Sequence, residues 1–424
     1  MSLTYRIAPV LAAMQLAPVS LAVAQDPHLE KARRVLAAVP LVDGHNDLPW
    51  YIREDFRQAP RDVEAYDLRR RTPGNTDLDR LRRGMVGGQF WSVYIPGEYA
   101  DSGYARVQLE QIDIARQVLA KYPELQPALT AQDIWTAHAA GRVGSLLGME
   151  GGHAIENSLG ALRAYYALGV RYMTLTHNVT LDWADAALDE ARHGGLTPFG
   201  EEVVREMNRL GMLVDLSHVS PAVMSDALDV SEAPVIFSHS SARALADVAR
   251  NVPDSILARL PANGGVVMVT FVPSFLSQPL VDHTARRDAR LAELQRQMPR
   301  DSAAVSREMA AWDAANPAPK ATLADVADHI EHVRKVAGVD HVGLGSDFDG
   351  TGNNLPVGLE DVSTFPVLLA ELSRRGWSED DLRKVAGENI LRAFARAERV
   401  AARLQRERPP STRTIEQLDR KRAS

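Results

Sequence analysis

The feature that most constrains this chain is a recurrence. Short apolar runs, most of them closed by an ionisable residue, alternate with stretches of helical periodicity. The runs lie at residues 40–44, 89–95, 143–149, 170–176, 213–217, 235–238, 265–271 and 341–346. Strands of a parallel sheet read this way because helices bury both of their faces. Helical patterns at 105–122, 158–168, 198–210 and 323–337 fall between them. Eight such units predict an α/β chain folded as a (β/α)8 TIM-like barrel. Six of the eight runs are followed at once by His45, Glu150, His177, His218, His239 or Asp347. Barrels of this kind place their chemistry at the C-terminal ends of the strands.

Residues 273–321 are too many for an ordinary barrel loop. They are rich in Arg, Ala, Glu and Gln, and predict a helical insertion between strands seven and eight, lying over the active-site face as a lid or subunit contact. At the start of the chain, Arg6 precedes a mostly apolar stretch at 7–23, and Ala22-Val23-Ala24 fits the small-x-small cleavage rule. Residues 1–24 therefore read as a signal peptide, which implies a periplasmic or secreted protein. Residues 25–402 then form a single catalytic barrel domain, and 403–424 a charged, Pro-interrupted tail. No later run reaches the ~18 uninterrupted apolar residues of a membrane span, and no lipid-anchor signal is visible at the C-terminus.

Composition narrows the chemistry. The formal net charge is −7, which speaks against nucleic acid as a partner, since phosphate binding needs a clustered positive field. The Arg clusters at 69–71, 80–83 and 286–307 read as solvated helix faces. The chain has 0 Cys, so disulfides, thiolate nucleophiles and Cys-bound zinc are excluded. Any metal site has to be built from His and carboxylates.

His45 and Asp47 sit two residues apart, so at a strand end they point to the same side. Alone the pair is as compatible with a capping role. Glu150 follows a buried run and precedes Gly151-Gly152, where the backbone can approach a ligand closely; in isolation it reads equally as a helix N-terminal acid. His218 and His239 repeat one pattern, each following a Ser at the end of a strand. Two such residues on consecutive strands would meet at one barrel mouth. Together these residues form two candidate metal sites, His45/Asp47/Glu150 and Glu150/His218/His239, with Glu150 shared. Imidazole and carboxylate donors suit zinc, with Mn or Co as substitutes.

The stretches Asp43-Gly44-His45-Asn46-Asp47, Glu150-Gly151-Gly152-His153, Thr174-Leu175-Thr176-His177-Asn178, Asp215-Leu216-Ser217-His218, Ser238-His239-Ser240-Ser241, Arg250-Asn251-Val252-Pro253-Asp254 and Gly345-Ser346-Asp347-Phe348-Asp349-Gly350 occur in this order. In these the sequence resembles the renal (membrane) dipeptidase family of zinc metallopeptidases, bacterial type. The resemblance implies a barrel with two Zn2+ per chain, held by His45, Asp47, Glu150, His218 and His239. It also implies hydrolysis of dipeptides, including those with a D-residue at the C-terminal position. In that pattern His177 faces the substrate, Arg250 binds its carboxylate and Asp347 moves protons. A metal-bridging hydroxide would attack the scissile carbonyl. His177 would donate to the developing oxyanion, and Asp347 would carry the hydroxide proton to the leaving amine. Arg243 lies near Arg250 and competes for the anchor role. His153 reads as a partner orienting a ligand, and His28, His193 and His332 as surface residues.

Two departures stand out. The chain lacks the cysteines and lipid anchor of the family's animal relatives, so any homodimer has to be non-covalent. Its His45-x-Asp47 also differs from the His-x-His that opens many barrel amidohydrolases. Asp347-x-Asp349-Gly350 resembles a calcium loop, but its twelfth position is Gly358, not an acid. The competing reading is a metal-dependent amidohydrolase acting on another amide or a lactone, with no need for Arg250. A third is a metal- or peptide-binding protein with a decayed site.

Overall fold

The strands in chain order are β1 (Leu41–Asn46), β2 (Val86–Ser92), β3 (Leu125–Pro127), β4 (Val143–Glu150), β5 (Val170–Thr174), β6 (Leu213–Asp215), β7 (Ile236–Phe237), β8 (Val266–Val269) and β9 (Val342–Leu344). β1 pairs with β2 and with β9, and β2 pairs with β4, which closes an all-parallel ring of eight strands. β3 stands outside the ring. It pairs with the first residues of β4, while β5 pairs with the last ones along the same edge. This computed structural model describes residues 26–54, 61–352 and 354–419. The expected signal peptide lies outside the described residues. Among the described residues no helix is long and apolar enough to cross a membrane.

All eight apolar runs supply a barrel strand, but the second is displaced. β2 starts at Val86, whereas the apolar run suggested 89–95. Its first residues, Val86-Gly87-Gly88, do not form an apolar run, yet Gly87 lies where β2 passes Pro40, the residue before β1: a Cβ there would come 2.7 Å from Pro40 Cα. β3 was not foreseen, because three residues carry too little periodicity.

Helices start and stop where the sequence signals it. Pro198–Leu210 has Thr197 at its N-cap accepting from Gly200 N–H, Pro198 in its first turn and Gly211 at φ 84° after its end. Leu323–Ala337 opens with a capping box between Thr322 and Asp325. The interior is filled rather than hollow. Phe90, Leu146, Tyr172, Leu213, Ile236 and Met268 cluster with Ile390 and Phe394 of the helix Asn389–Glu407. Tyr172 fits only because Gly148 faces it; a Cβ on Gly148 would lie 2.0 Å from Tyr172 Cζ.

The insertion after β8 is helical: Pro273–Leu276, Gln278–Gln297 and Ser302–Ala315. The two long helices pack on each other around Leu294, Val305 and Met309, a small cluster separate from the main core. Arg287 braces them with a bidentate bond to Asp313 (2.8 and 3.0 Å). Only the first residues of this segment border the cavity described below, so the structure does not show the hairpin lying across it as the expected lid. Residues 403–407 continue the helix Asn389–Glu407. The chain then returns to the helix Pro198–Leu210, where Asp419 accepts from Thr197 Oγ1 (2.7 Å) and Phe199 N–H (2.9 Å).

His329 locks one side of the barrel. Its Nδ1 accepts from Ala242 N–H (3.0 Å) and its Nε2 donates to Leu276 C=O (3.1 Å), so the ring is held neutral. Burial lowers its pKa to about 4. An unfolded His titrates near ~6.5, so between those values the unfolded chain binds a proton that the native chain refuses. This contribution is intact above about pH 6.5 and is lost as the pH falls toward 4, by about 3 kcal/mol. Urea unfolding across this range is expected to show a shallower decline for His329→Gln than for the wild type. An unchanged slope would count against this role.

Candidate active site and metal centre

The strand ends converge on Glu150, the last residue of β4. His218 Nε2 and His239 Nε2 lie 3.0 and 3.3 Å from Glu150 Oε1. His45 Nε2 lies 3.4 Å from Glu150 Oε2 and 3.2 Å from Asp47 Oδ2. All five of these side chains are buried. Ser92, at the end of β2, donates to Glu150 Oε2 (3.3 Å). The backbone bends sharply to achieve this. His218, Asp347 and Asp349 have φ of 68°, 65° and 65°, a region non-glycine residues rarely adopt. His218 is held there through its carbonyl, which accepts from Ala187 N–H (2.7 Å) and Thr176 Oγ1 (3.3 Å).

The outer nitrogens of two of the three imidazoles, those of His218 and His239, fix which way the inner ones face. His218 Nδ1 meets Asn178 Oδ1 at 3.0 Å, an atom that can only accept, so Nδ1 carries the hydrogen. Ser238 Oγ donates to Asp215 Oδ2 (2.6 Å) and so accepts from His239 Nδ1 (2.8 Å). Both rings then point bare Nε2 lone pairs inward, yet these atoms are only 2.9 Å apart. Two lone pairs at that distance repel unless a cation satisfies them. His45, whose Nδ1 meets Tyr172 Oη at 2.8 Å, likewise has a buried Nε2 without a hydrogen-bond partner. These residues fit a metal centre of nitrogen and carboxylate donors.

Protonation agrees. Burial pushes the His218 and His239 pKa values well below the usual range, leaving neutral imidazoles. Burial opposes charge on Glu150, but the neighbouring His45 and His218 imidazoles hold its carboxyl well below the usual range. Burial also opposes a proton on His45; Tyr172, Glu150 and Asp47 nevertheless raise its pKa well above normal. The same negative surroundings would attract a metal ion. Metal-capable groups form as His45/Glu150/His239, Glu150/His177/His218 and His45/Asp47/Asp347.

His177 therefore stands beside the centre, its ring 4.4 Å from that of His218 and 4.7 Å from that of Tyr94. Asp347 N–H donates to His45 C=O (3.1 Å) and Asp47 N–H to Phe348 C=O (2.9 Å), which joins the end of β1 to the chain leaving β9. Burial pushes the Asp347 pKa well above normal; His45 opposes this, and Asp47 and Glu150 add to it. Arg250 is fully buried and borders the same cavity. Its contacts are long, 3.5 Å to Ser240 Oγ and 3.5 Å to His239 C=O, and it packs on the Phe275 ring. Among the described residues no ion pair to Arg250 forms. Arg243 instead pairs with Asp247 (2.8 Å) at the surface. His153 does not orient a ligand: it bonds Ile95 C=O (2.9 Å) and packs edge-on against Tyr104.

These groups open into a cavity of about 430 Å³. Trp50, Tyr94, Leu188 and Phe275 supply its apolar walls. Sequence reasoning missed Tyr172, Ser238, Asp215, Asn178, Trp50 and Tyr94 as working residues. Asn178, Ser238 and Asp215 sat inside quoted motifs, and a search for partners to each His could have found them. Tyr172 reaches His45 across 127 residues of chain, with no local signal.

The sequence profile of the membrane dipeptidase family (peptidase family M19) matches residues 29–408. The chain belongs to this family. It is a metallodipeptidase by that membership and by its relatives. Dipeptidase 3 of Rattus norvegicus is 43 % identical over 381 residues, covering 88 % of this dipeptidase and 69 % of the rat protein. Dipeptidase 3 of Homo sapiens is 41 % identical over 375 residues, covering 87 % and 67 %. Among solved structures, the probable dipeptidase PvdM from Pseudomonas aeruginosa superposes with a TM-score of 0.74 at 25 % identity, over 88 % of this dipeptidase and 99 % of that chain. A metallo peptidase from Rhodobacter sphaeroides, liganded with a phosphinate mimic of L-Ala-D-Ala, gives 0.67 at 26 %, over 85 % and 99 %.

The Asp215–Ser238–His239 relay yields a test. Asp215→Asn and Ser238→Ala free the His239 tautomer and are expected to weaken metal binding about 10- to 100-fold. Competition with a coloured chelator measures this directly. Unchanged affinity in both variants would leave the relay without a metal-orienting role.

Proposed function

We propose that this dipeptidase is a zinc enzyme with two ions per chain, one held by His45, Asp47 and Glu150, the other by Glu150, His218 and His239. The observation that carries the reading is the pair of bare Nε2 atoms 2.9 Å apart against the Glu150 carboxylate, in a cavity that also holds a buried Arg250 with no ion pair among the described residues. Zinc supplies Lewis acidity and a water acidic enough to attack near neutral pH.

The chain's own residues do the rest. Arg250 binds the substrate's free carboxylate, a planar fork meeting a planar acceptor. Its place deep in the wall limits how much chain can extend past the scissile bond, which favours dipeptides over longer peptides. His177, kept neutral by burial with Arg250 adding to the effect, donates to the carbonyl oxygen as charge develops there. Asp347 takes the proton of the attacking water and hands it to the leaving amine. Substrates with a C-terminal D-residue belong to the proposed range, in keeping with the L-Ala-D-Ala mimic bound by the Rhodobacter sphaeroides relative. Residues 1–24 support export to the periplasm or medium.

The test is a panel of L-Xaa-L-Xaa and L-Xaa-D-Xaa dipeptides with C-terminally amidated copies. Hydrolysis is expected to vanish with chelator and return with zinc. Asp347→Asn should lower kcat about 10²- to 10⁴-fold, and Arg250→Met should erase the preference for free acid over amide. Metal-loaded protein that cleaves amides or lactones but no dipeptide would establish the amidohydrolase alternative instead.

A further inference from the structure

A turn that carries a reacting group needs something to hold it. The chain leaving β9 passes through two left-handed residues, Asp347 and Asp349, each with φ 65°. That conformation is costly for any residue with a Cβ and persists only where neighbours enforce it. Within the turn, Gly350 N–H reaches back to Asp347 C=O (3.2 Å). Further support comes from a distant loop, residues 72–77, which leads into the helix Leu78–Arg83.

Asn75 is the point of contact. Its Oδ1 accepts from Asp349 N–H (2.9 Å), and its own N–H donates to Asp349 Oδ1 (2.5 Å). This reciprocal pair ties down the backbone and the side chain of Asp349 together. Gly74 permits the approach, since a Cβ there would lie 2.2 Å from Asp349 Oδ1. The next residue, Thr76, accepts at Oγ1 from Asn46 Nδ2 (2.9 Å). Asn46 stands between the ligand candidates His45 and Asp47. One loop therefore touches both segments that bring Asp47 and Asp347 together. A Cβ on Gly350 would lie 2.3 Å from both Asp347 Oδ1 and Asp47 Oδ2, so the two acids meet over a bare glycine.

The loop is itself braced. The buried Arg80 donates to Asp77 Oδ2 (2.6 Å), Gly74 C=O (2.8 Å) and Thr72 Oγ1 (2.6 Å). Asn75 C=O accepts from Val362 N–H (3.3 Å). Burial raises the Asp349 pKa to about 6, against the Thr76 hydroxyl, the Asn75 amide and the Arg80 guanidinium, which favour its charged form. That carboxylate is committed to the loop. Thr72, Asn75, Thr76 and Arg80 are buried and none of them borders the cavity, so the loop acts without touching a substrate.

We propose that Asn75 is a positioning residue for the hydrolysis. By holding Asp349 in its left-handed conformation, it sets where Asp347 stands against Asp47 and the scissile bond. This rests on the proton-carrying reading of Asp347 above. A reacting group displaced by about 1 Å can cost about 10²-fold in rate.

The test is a double-mutant cycle on hydrolysis of L-Ala-L-Ala by zinc-loaded wild type, Asn75→Ala, Asp347→Asn and the double variant. Asn75→Ala is expected to lower kcat about 10- to 100-fold, with KM and zinc content at wild-type values. In the Asp347→Asn background the same change is expected to cost no more than about twofold, because the group it positions is already gone. Thr76→Val, which acts on the same brace, is expected to lower kcat about tenfold with the same dependence on Asp347. An unchanged kcat in folded Asn75→Ala overturns the proposal. So does a rise in KM alone, a loss that follows zinc content, or an equal loss in both backgrounds, which would assign Asn75 to the general scaffold. If Asn75→Ala does not fold, the cycle with Thr76→Val decides. An Asp347→Asn enzyme as fast as wild type removes the proton-carrying reading and this proposal with it. A slow Asp347→Asn enzyme beside a fast Asn75→Ala enzyme removes this proposal alone.

Discussion

Glu150 stands at the end of a barrel strand with three imidazole nitrogens within 3.4 Å of its oxygens. Everything around it serves to hold like groups closer than they would choose to be. Asp215 ties the ends of three strands together. It accepts from Thr174 Oγ1, Ser217 N–H and both the amide and hydroxyl of Ser238. Asp43 does the same between β1 and the end of β9, accepting from the amide and hydroxyl of Ser346 and from Gln89. Burial raises the Asp43 pKa to about 6. The framework invests buried carboxylates in fixing strand ends because the centre they enclose tolerates little play.

Much of this was legible in the sequence. The barrel was readable because buried parallel strands leave uninterrupted apolar runs, and because ionisable residues closed six of the runs. The ligand candidates were readable for the same reason: His45, Glu150, His218 and His239 each end a run, and strand ends in a barrel share one face. The start of β2 was misread because Val86-Gly87-Gly88 form no apolar run; Gly87 there answers to a neighbour, Pro40, that only the folded chain supplies.

Other parts were not legible, and the reasons differ. Tyr172 looks like one more core aromatic in its strand; its contact with His45 depends on Gly148 giving way opposite it. Arg250 and Arg243 are equivalent by composition, and only packing separates the buried residue from the solvated one. The hairpin of the insertion read as helical from its residues. Its placement depended on contacts between Leu294, Val305 and Met309 that sequence does not reveal. Local pattern reports an element's type, while direction and neighbours come from tertiary packing.

The filled interior has a kinetic meaning. Phe90, Leu146 and Tyr172 close the barrel beneath His45, and Tyr172 is 0 % exposed. Substrate therefore cannot arrive through the barrel axis. Both amino acids leave on the strand-end side from which one molecule entered, so a product still held by the wall stands in the way of the next substrate.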